Sequence, residues 1–288
     1  MKIHFLNVGH GDCCIIEFDS GRTTMIDINN VQSIDKETKE EIIQECPGYN
    51  IQLTNPVEYM KEHRIDKLFR FVITHPHMDH ISGINEIAKR CQNVWLHQNS
   101  FPANDELSSQ QRQDWKQYEL WRKQIGIQSQ SPRILSLSSG ACNSYYKEDG
   151  ILILSPTEAL VEQAISENKP NIMSTVLLIQ YGKCKILLGG DAEAPTWEYI
   201  LENYKSKISN VTILKAAHHG RNSGYYKEAV SVMKPEYTIV SVGKKPEQDA
   251  TNKYRNYSRH VYSTRWKGNI VFDCCRNGVV RCNPEYNR

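Results

Sequence analysis

The first 27 residues alternate apolar and polar positions with the period of a strand. KIHFLNV, CCIIEF and TTMID are separated by turns at GHGD and DSGR. Residues 29–55 break that pattern; the stretch is polar and irregular and is expected to be an insertion or long loop. PVEYMKEHRI places Pro56 at the first position of a short helix. DKLFRFVIT is an apolar run suited to a buried strand. SGINEIAKRC then reads as a helix and NVWLHQ as a strand. NDELSSQQRQDWKQYELWRKQIG reads as a longer helix, capped by Asn104 or Asp105 and stopped near Gly126.

The second half continues in the same mixed manner. RILSL, GILILS, STVLLIQY and CKILLGG are strand-like, PTWEYILENY is helical, and VTILKAA is a strand. A helix near GYYKEAVSVM, a strand at YTIVSVG and two or three closing strands in VYSTRWKGNIVFDCCRNGVVRC complete the chain. Strands and helices interleave with no Pro/Gly/Ser linker, so one α/β domain over residues 1–288 is expected.

Composition narrows the class. The chain is 39% hydrophobic and 24% charged, typical of a globular protein, and contains no apolar run of membrane-spanning length. The N-terminus lacks the apolar core of a signal peptide, so a cytoplasmic protein with no membrane association is expected. Nine cysteines, two adjacent pairs and no C-x-x-C spacing fit reduced, mostly buried thiols rather than a disulfide framework. Charge is unevenly spread. From Lys205 onward there are 16 Lys/Arg against 6 Asp/Glu, while the first 204 residues carry 19 against 27. Such asymmetry suits a lobe that meets an anionic partner.

The chemistry concentrates in THPHMDHISG, where His75, His77, Asp79 and His80 lie between a strand and a helix. Alternate residues of an extended segment point the same way. His75 and His77 can therefore grip one cation while Asp79 and His80 reach a second. Imidazoles and carboxylates suit Zn²⁺ and its first-row neighbours. Two further strands end in similar donors, KILLGGDAE at Asp191 and VTILKAAHHG at His218 and His219. The three sites would converge if their strands shared one sheet edge.

The set MID (Asp27), HPHMDH, LLGGD and AAHHG, in this order and spacing, resembles the metallo-β-lactamase superfamily. More narrowly, LNVGHGDCCII, SVG and VYSTRWKGNI are similar to the metallo-β-lactamase domain of the ComEC/Rec2 competence proteins and their stand-alone relatives, which usually have Gln where His10 stands. The resemblance implies an α/β fold, the αββα four-layer sandwich, with inserts at about 29–55 and 100–145. It implies two divalent metal ions, Zn²⁺ or Mn²⁺. His75 and His77 would hold the first, Asp79, His80 and His219 the second, and Asp191 would bridge them. His218 would face substrate as donor or general acid, with Asp79, Asp191 and His218 the catalytic set. Asp27 would orient a metal-binding histidine from outside. Many members carry a further histidine ligand before the bridging aspartate. His97, alone in that interval, lies on an expected strand and reads as core or surface. NIMST (Asn171, Ser174) stands where that ligand would be.

Water activated between two cations makes hydrolysis the expected reaction. A phosphodiester in nucleic acid, DNA first, is the expected substrate, because the resemblance points to DNA degradation and the basic C-terminal third interleaves cations with aromatics. Those residues are Tyr225, Tyr226, Lys244, Lys245, Lys253, Tyr254, Arg255, Tyr257, Arg259, Tyr262, Arg265 and Trp266, about half of them expected in the core. Lys215 and Arg221 are candidate phosphate clamps. Asn171, Ser174 and His10 are candidate substrate contacts, and Asp12 shares the turn of His10. The alternatives are a small-molecule phosphodiesterase acting on a cyclic nucleotide or phosphorylcholine-type ester, or a non-catalytic regulatory protein on this scaffold. An unregulated cytoplasmic nuclease would be toxic, so control by a partner protein, a closed loop or sequestration is expected, with the polar inserts as candidates. The long helix is read as packed on its own domain, with a homodimer face as the second reading.

Overall fold

The computed structural model describes residues 1–31, 33–50, 52–97, 101 and 106–287. Fifteen strands occur among them: β1 (Lys2–Phe5), β2 (Cys14–Glu17), β3 (Thr23–Ile26), β4 (Ile28–Asn29), β5 (Leu68–Val72), β6 (Cys91–Trp95), β7 (Arg133–Leu135), β8 (Ile151–Ser155), β9 (Val176–Tyr181), β10 (Cys184–Leu188), β11 (Ile213–Lys215), β12 (Tyr237–Val240), β13 (His260–Ser263), β14 (Ile270–Cys274) and β15 (Val280–Pro284). One sheet has the order β15-β14-β1-β2-β3-β5-β6-β7 and the other β13-β12-β11-β10-β9-β8. The chain builds most of the first sheet, then the second, and returns to lay β14 antiparallel on β1, pairing Lys2 with Asp273 and Phe5 with Ile270.

The two sheets face each other. Ile3, Phe5, Ile16, Ile26 and Val72 of the first share one buried cluster with Ile153, Leu177, Ile179, Ile186, Leu188, Ile213 and Ile239 of the second. Each sheet buries its other face under helices. Helix α1 (Lys36–Glu45) contributes no residue to the outer core of the first sheet, which lies under α2 (Pro56–Glu62), α3 (Met78–Ile81), α4 (Ile84–Ile87) and α5 (Ser109–Lys123) and takes Val57, Met60, Ile81, Ile84, Tyr118 and Trp121 from them. On the second, helices Ala194–Tyr204 and Lys227–Met233 contribute Trp197, Ile200, Val230 and Met233. The result is the expected four-layer αββα sandwich.

Several local expectations are corrected. Residues 29–55 are not wholly irregular, because α1 forms with Asp35 capping Thr38 and Ile42 buried beneath it. Its acidic face is held by distant cations. Glu37 meets Lys244 at 2.7 Å, while Glu41 and Glu45 meet Arg265 at 2.6 and 3.1 Å. The expected caps Asn104 and Asp105 lie outside the described residues. The helix starts at Ser109, where Ser108 and Gln111 form a reciprocal capping box. The segment read as an insert at 100–145 also supplies β7, the edge strand beside β6. The closing strands enclose a helical turn at Thr264–Lys267. All nine cysteines are free.

A buried charge cluster braces the strand that leads to the histidines. Arg70 on β5, 1% exposed, pairs with Asp149 and donates to Thr24 Oγ1 at 3.1 Å. Arg22 Nε also donates to Asp149, at 2.8 Å. Burial opposes ionisation of Asp149, but hydrogen bonds from Arg22, Ser20 and Arg70 outweigh it and hold the carboxyl below its ordinary value. A depressed folded value contributes stability that is complete above about pH 4 and is lost as pH falls through the folded value. Asp149→Ala strands the Arg70 charge and is expected to cost about 3–5 kcal/mol in urea unfolding at pH 7. A loss under about 1 kcal/mol contradicts the bracing role.

Candidate metal centre

Every chemistry-bearing residue of the centre lies at the C-terminal end of a strand, where α/β sheets present their loops. Asp27 follows β3, the histidine loop follows β5, Asp191 follows β10, His218 and His219 follow β11, and Ser241 follows β12. The strands do not share one sheet edge, as the sequence suggested. β3 and β5 belong to one sheet and β10 to β12 to the other, so the centre spans the gap between two facing edges.

Asp191 Oδ2 is the point of convergence. His80 Nε2 and His219 Nε2 each lie 3.4 Å from it, and His75 Nε2 and His218 Nε2 each lie 3.8 Å away. His75 Nε2 is 3.0 Å from His77 Nδ1, and Asp79 Oδ2 is 3.1 Å from His219 Nε2. The sequence-predicted donors His75, His77, Asp79, His80, Asp191 and His219 therefore come together from three loops. Only Asp79, with a side chain 29% exposed, and half-buried His77 open toward solvent.

Contacts behind these donors set their tautomers. His80 Nδ1 donates to Asp27 Oδ2 at 2.7 Å and His219 Nδ1 donates to the Ser241 carbonyl at 3.0 Å, leaving each Nε2 lone pair toward the centre. Asp27 is fixed in turn by Thr74, whose N–H and hydroxyl donate at 2.8 and 2.7 Å. Asp27, His218 and His219 all adopt positive φ, 55°, 50° and 51°. Non-glycine residues in that region carry strain that tertiary contacts must hold.

The donor set fits cations. His80 Nε2 and Asp191 Oδ1 are buried without a hydrogen-bond partner, each a penalty of about 1–3 kcal/mol unless something fills the space. Asp12, Asp27, Asp79 and Asp191 bring four carboxylates together. Burial disfavours charge on His219, but Asp191 and Asp12 overcome it and push the imidazole up to about 10. His80 rises too, against its burial, through Asp191, Asp27 and Asp79. Asp191 is driven well below the carboxylate range by His219 and His80, despite burial. His75 is lowered first by burial and then by its histidine neighbours. A centre with this excess of negative charge calls for bound positive charge.

Two predicted substrate contacts are corrected. Lys215 is 4% exposed; its ammonium pairs with Asp12 and donates to Gly190 O at 3.2 Å, so it braces the centre from behind. Ser174 is fully buried; its hydroxyl accepts from Asp191 N at 3.1 Å and lies 3.4 Å from His75 Nδ1. Neither has a free path to a ligand. Asn171 and His218 stand on the wall, with Asn171 Nδ2 donating to Glu193 at 3.1 Å. His218 Nδ1 lies 2.7 Å from Ser223 Oγ and 3.4 Å from Glu193. His97 is a core residue, bonded to Thr175 Oγ1 at 2.8 Å. Sequence reading singled out neither Glu193, two residues beyond Asp191, nor Ser241, which orients His219 through its backbone.

A cleft of about 640 Å³ beside the centre is lined by His10, Arg221, Ser223, Lys244 and Lys245, with Asp35 and Glu247 also on its wall. Part of the basic aromatic series has other duties. Tyr254 and Arg265 are buried, while Tyr225, Tyr226, Tyr257 and Tyr262 are partly covered. No described helix is long and apolar enough to cross a membrane.

No protein-family model matches the chain. Among curated proteins it resembles Recombination protein 2 of Haemophilus influenzae, 27% identical over 105 residues, which are 35% of this chain but only 13% of that protein. Among solved structures, a mutant of the β-hydroxylase CmlA superposes over 95% of this chain and 54% of its own at 12% identity, with a TM-score of 0.51. Tm1679, described as a metal-dependent hydrolase of the β-lactamase superfamily, superposes over 98% of each chain at 10% identity, with a TM-score of 0.50. These structural likenesses are of fold.

Asp27→Asn keeps the size of the side chain but weakens its hold on His80. Calorimetric titration of metal-stripped protein with Zn²⁺ is expected to show about 10–100-fold weaker binding than wild type. Unchanged affinity contradicts the orienting role.

Proposed function

We propose that this chain, which has the metallo-β-lactamase fold, is a metal-dependent phosphodiesterase that cleaves nucleic acid, DNA in preference. The observation that carries this reading is the convergence of His75, His80, His218 and His219 on Asp191 Oδ2, with His77 beside His75 and Asp79 beside His219, next to a cleft lined by Arg221 and Lys245. His75, His77 and Asp191 would hold one divalent cation; Asp79, His80, His219 and Asp191 a second. When bound, such cations would lower the pKa of water to about 7 and would stabilise charge on a phosphoryl oxygen.

The chain's own side chains supply the rest. His218, half-buried on the wall and steadied by Ser223, is positioned to donate to substrate. Asn171 adds an amide beside it, 3.5 Å from the His218 ring nitrogens. Lys215 and Asp27 keep the centre rigid from behind. The cleft cations neutralise flanking phosphates, an arrangement that serves a polyanion better than a small neutral ester. The matched relative is named for recombination, which also favours nucleic acid. The Zn²⁺ or Mn²⁺ choice, a cytoplasmic location, a single domain and a regulatory partner or homodimer belong to the same proposal.

The test is incubation with labelled single- and double-stranded DNA, RNA and cyclic dinucleotides, each with Mn²⁺ or Zn²⁺. DNA is expected to be cut, and His77→Ala and Asp191→Ala to lose more than the roughly 100-fold typical of an orienting contact. Lys245→Ala is expected to weaken DNA binding uniformly across sequences and to reduce the salt slope by about 1. Cleavage of cyclic dinucleotides alone, with little salt dependence, would make the protein a small-molecule phosphodiesterase. No hydrolysis of any substrate despite bound metal would favour the regulatory reading.

A further inference from the structure

His10 stands at the edge of the centre, outside the ligand set above, on a turn that is locked in place. Gly9 and Gly11 adopt φ of 76° and 149°. A Cβ on Gly11 would meet Asn29 Nδ2 at 2.5 Å and the Asp79 carbonyl at 2.6 Å, and one on Gly243 would meet His10 N at 2.6 Å. Asp12 N donates to the Asp79 carbonyl at 3.1 Å. Asn29 Nδ2 donates to the carbonyls of Val8 and His10 at 3.1 and 2.8 Å. The turn is thereby fastened to the histidine loop. The His10 ring lies 4.7 Å from that of His219, centroid to centroid, and a ring nitrogen lies within 4.8 Å of donor atoms of Asp79 and His219.

Proximity alone would make His10 another metal ligand, but its remaining contact argues otherwise. Arg221 Nη2 lies 3.2 Å from His10 Nε2. A guanidinium can only donate, so Nε2 must accept and the ring proton sits on Nδ1. Neither nitrogen then keeps a lone pair for a cation. His10 Nδ1 is buried without a hydrogen-bond partner, and so is Arg221 Nε. Two unspent donors thus stand beside the centre, on residues that line the substrate cleft.

We propose that His10 donates a hydrogen bond from Nδ1 to an anionic phosphoryl oxygen of the substrate, with Arg221 holding the tautomer that makes it a donor. The proposal rests on the phosphodiesterase reading. The proton stays on His10 throughout, so the residue stabilises charge and transfers nothing. Removing one donor to an oxygen that gains charge in the transition state costs about 10²–10³-fold in kcat.

The experiment compares wild type, His10→Ala and His10→Gln, whose amide N–H offers a donor of similar reach. Metal-stripped protein is titrated with Mn²⁺ and Zn²⁺, metal-loaded protein is titrated with inorganic phosphate, and steady-state kinetics are measured on a dinucleotide phosphodiester. His10→Ala is expected to keep metal affinity and stoichiometry and to bind phosphate about tenfold more weakly, the scale of one charge-assisted hydrogen bond. It is also expected to lose about 10²-fold in kcat with a smaller change in KM. His10→Gln is expected to recover most of both losses. Weaker metal binding in His10→Ala would make the residue a ligand and overturn the proposal. So would unchanged phosphate affinity, or a folded His10→Gln as impaired as His10→Ala. A wild type that hydrolyses no phosphodiester would sink the reading beneath it, while the metal and phosphate titrations still decide the role of His10.

Discussion

The carboxylate of Asp191 is held at the meeting point of two sheets, and four histidines close on one of its oxygens. Such a group cannot stand alone. A buried anion beside Asp12, Asp27 and Asp79 is stable only if positive charge is supplied. Lys215 supplies one charge from behind, engaged to Asp12. The surrounding carboxylates also push His80 and His219 upward against their burial, drawing both imidazoles toward positive charge. Bound divalent cations would take over that duty and free both imidazoles to act as neutral ligands.

The fold is arranged to hold this group. β14 closes onto β1, and the inner faces of both sheets merge in one apolar cluster. The loops after β5 and β10 are thereby fixed opposite each other. Interiors of this density transmit small displacements, so the contacts behind the donors matter as much as the donors. Thr74 on Asp27, Asp27 on His80, and the Ser241 carbonyl on His219 form such a chain. The positive φ angles at Asp27, His218 and His219 mark where the backbone bends to aim them.

Much of this was legible in the sequence because the donors are local signals. H-x-H-x-D-H is six residues long, and apolar strands ending in GGD and AAHHG announce carboxylate and imidazole at strand ends. Which sheet each strand joins was not legible, because pairing is decided across long separations, as in Phe5 with Ile270. The helix Lys36–Glu45 was hidden for a related reason. Its sequence is nearly all polar, with Thr38 and Ile42 its only buried residues, and part of its anchoring is ionic, to Lys244 and Arg265 more than 200 positions away. The same long reach misled the reading of Lys215. A lysine beside a histidine pair suggests a phosphate clamp, and nothing nearby in the chain reveals that Asp12 will claim it.

The central claim is that cations sit between donors drawn from both sheets. Anomalous diffraction from crystals soaked in Mn²⁺ or Zn²⁺ tests it most directly. The account predicts two peaks about 3.5–4 Å apart, both within bonding distance of Asp191, one also bound by His75 and His77 and the other by Asp79, His80 and His219. Absence of any peak at Asp191, or a metal bound elsewhere with the Asp191 cluster vacant at saturating metal, would contradict it.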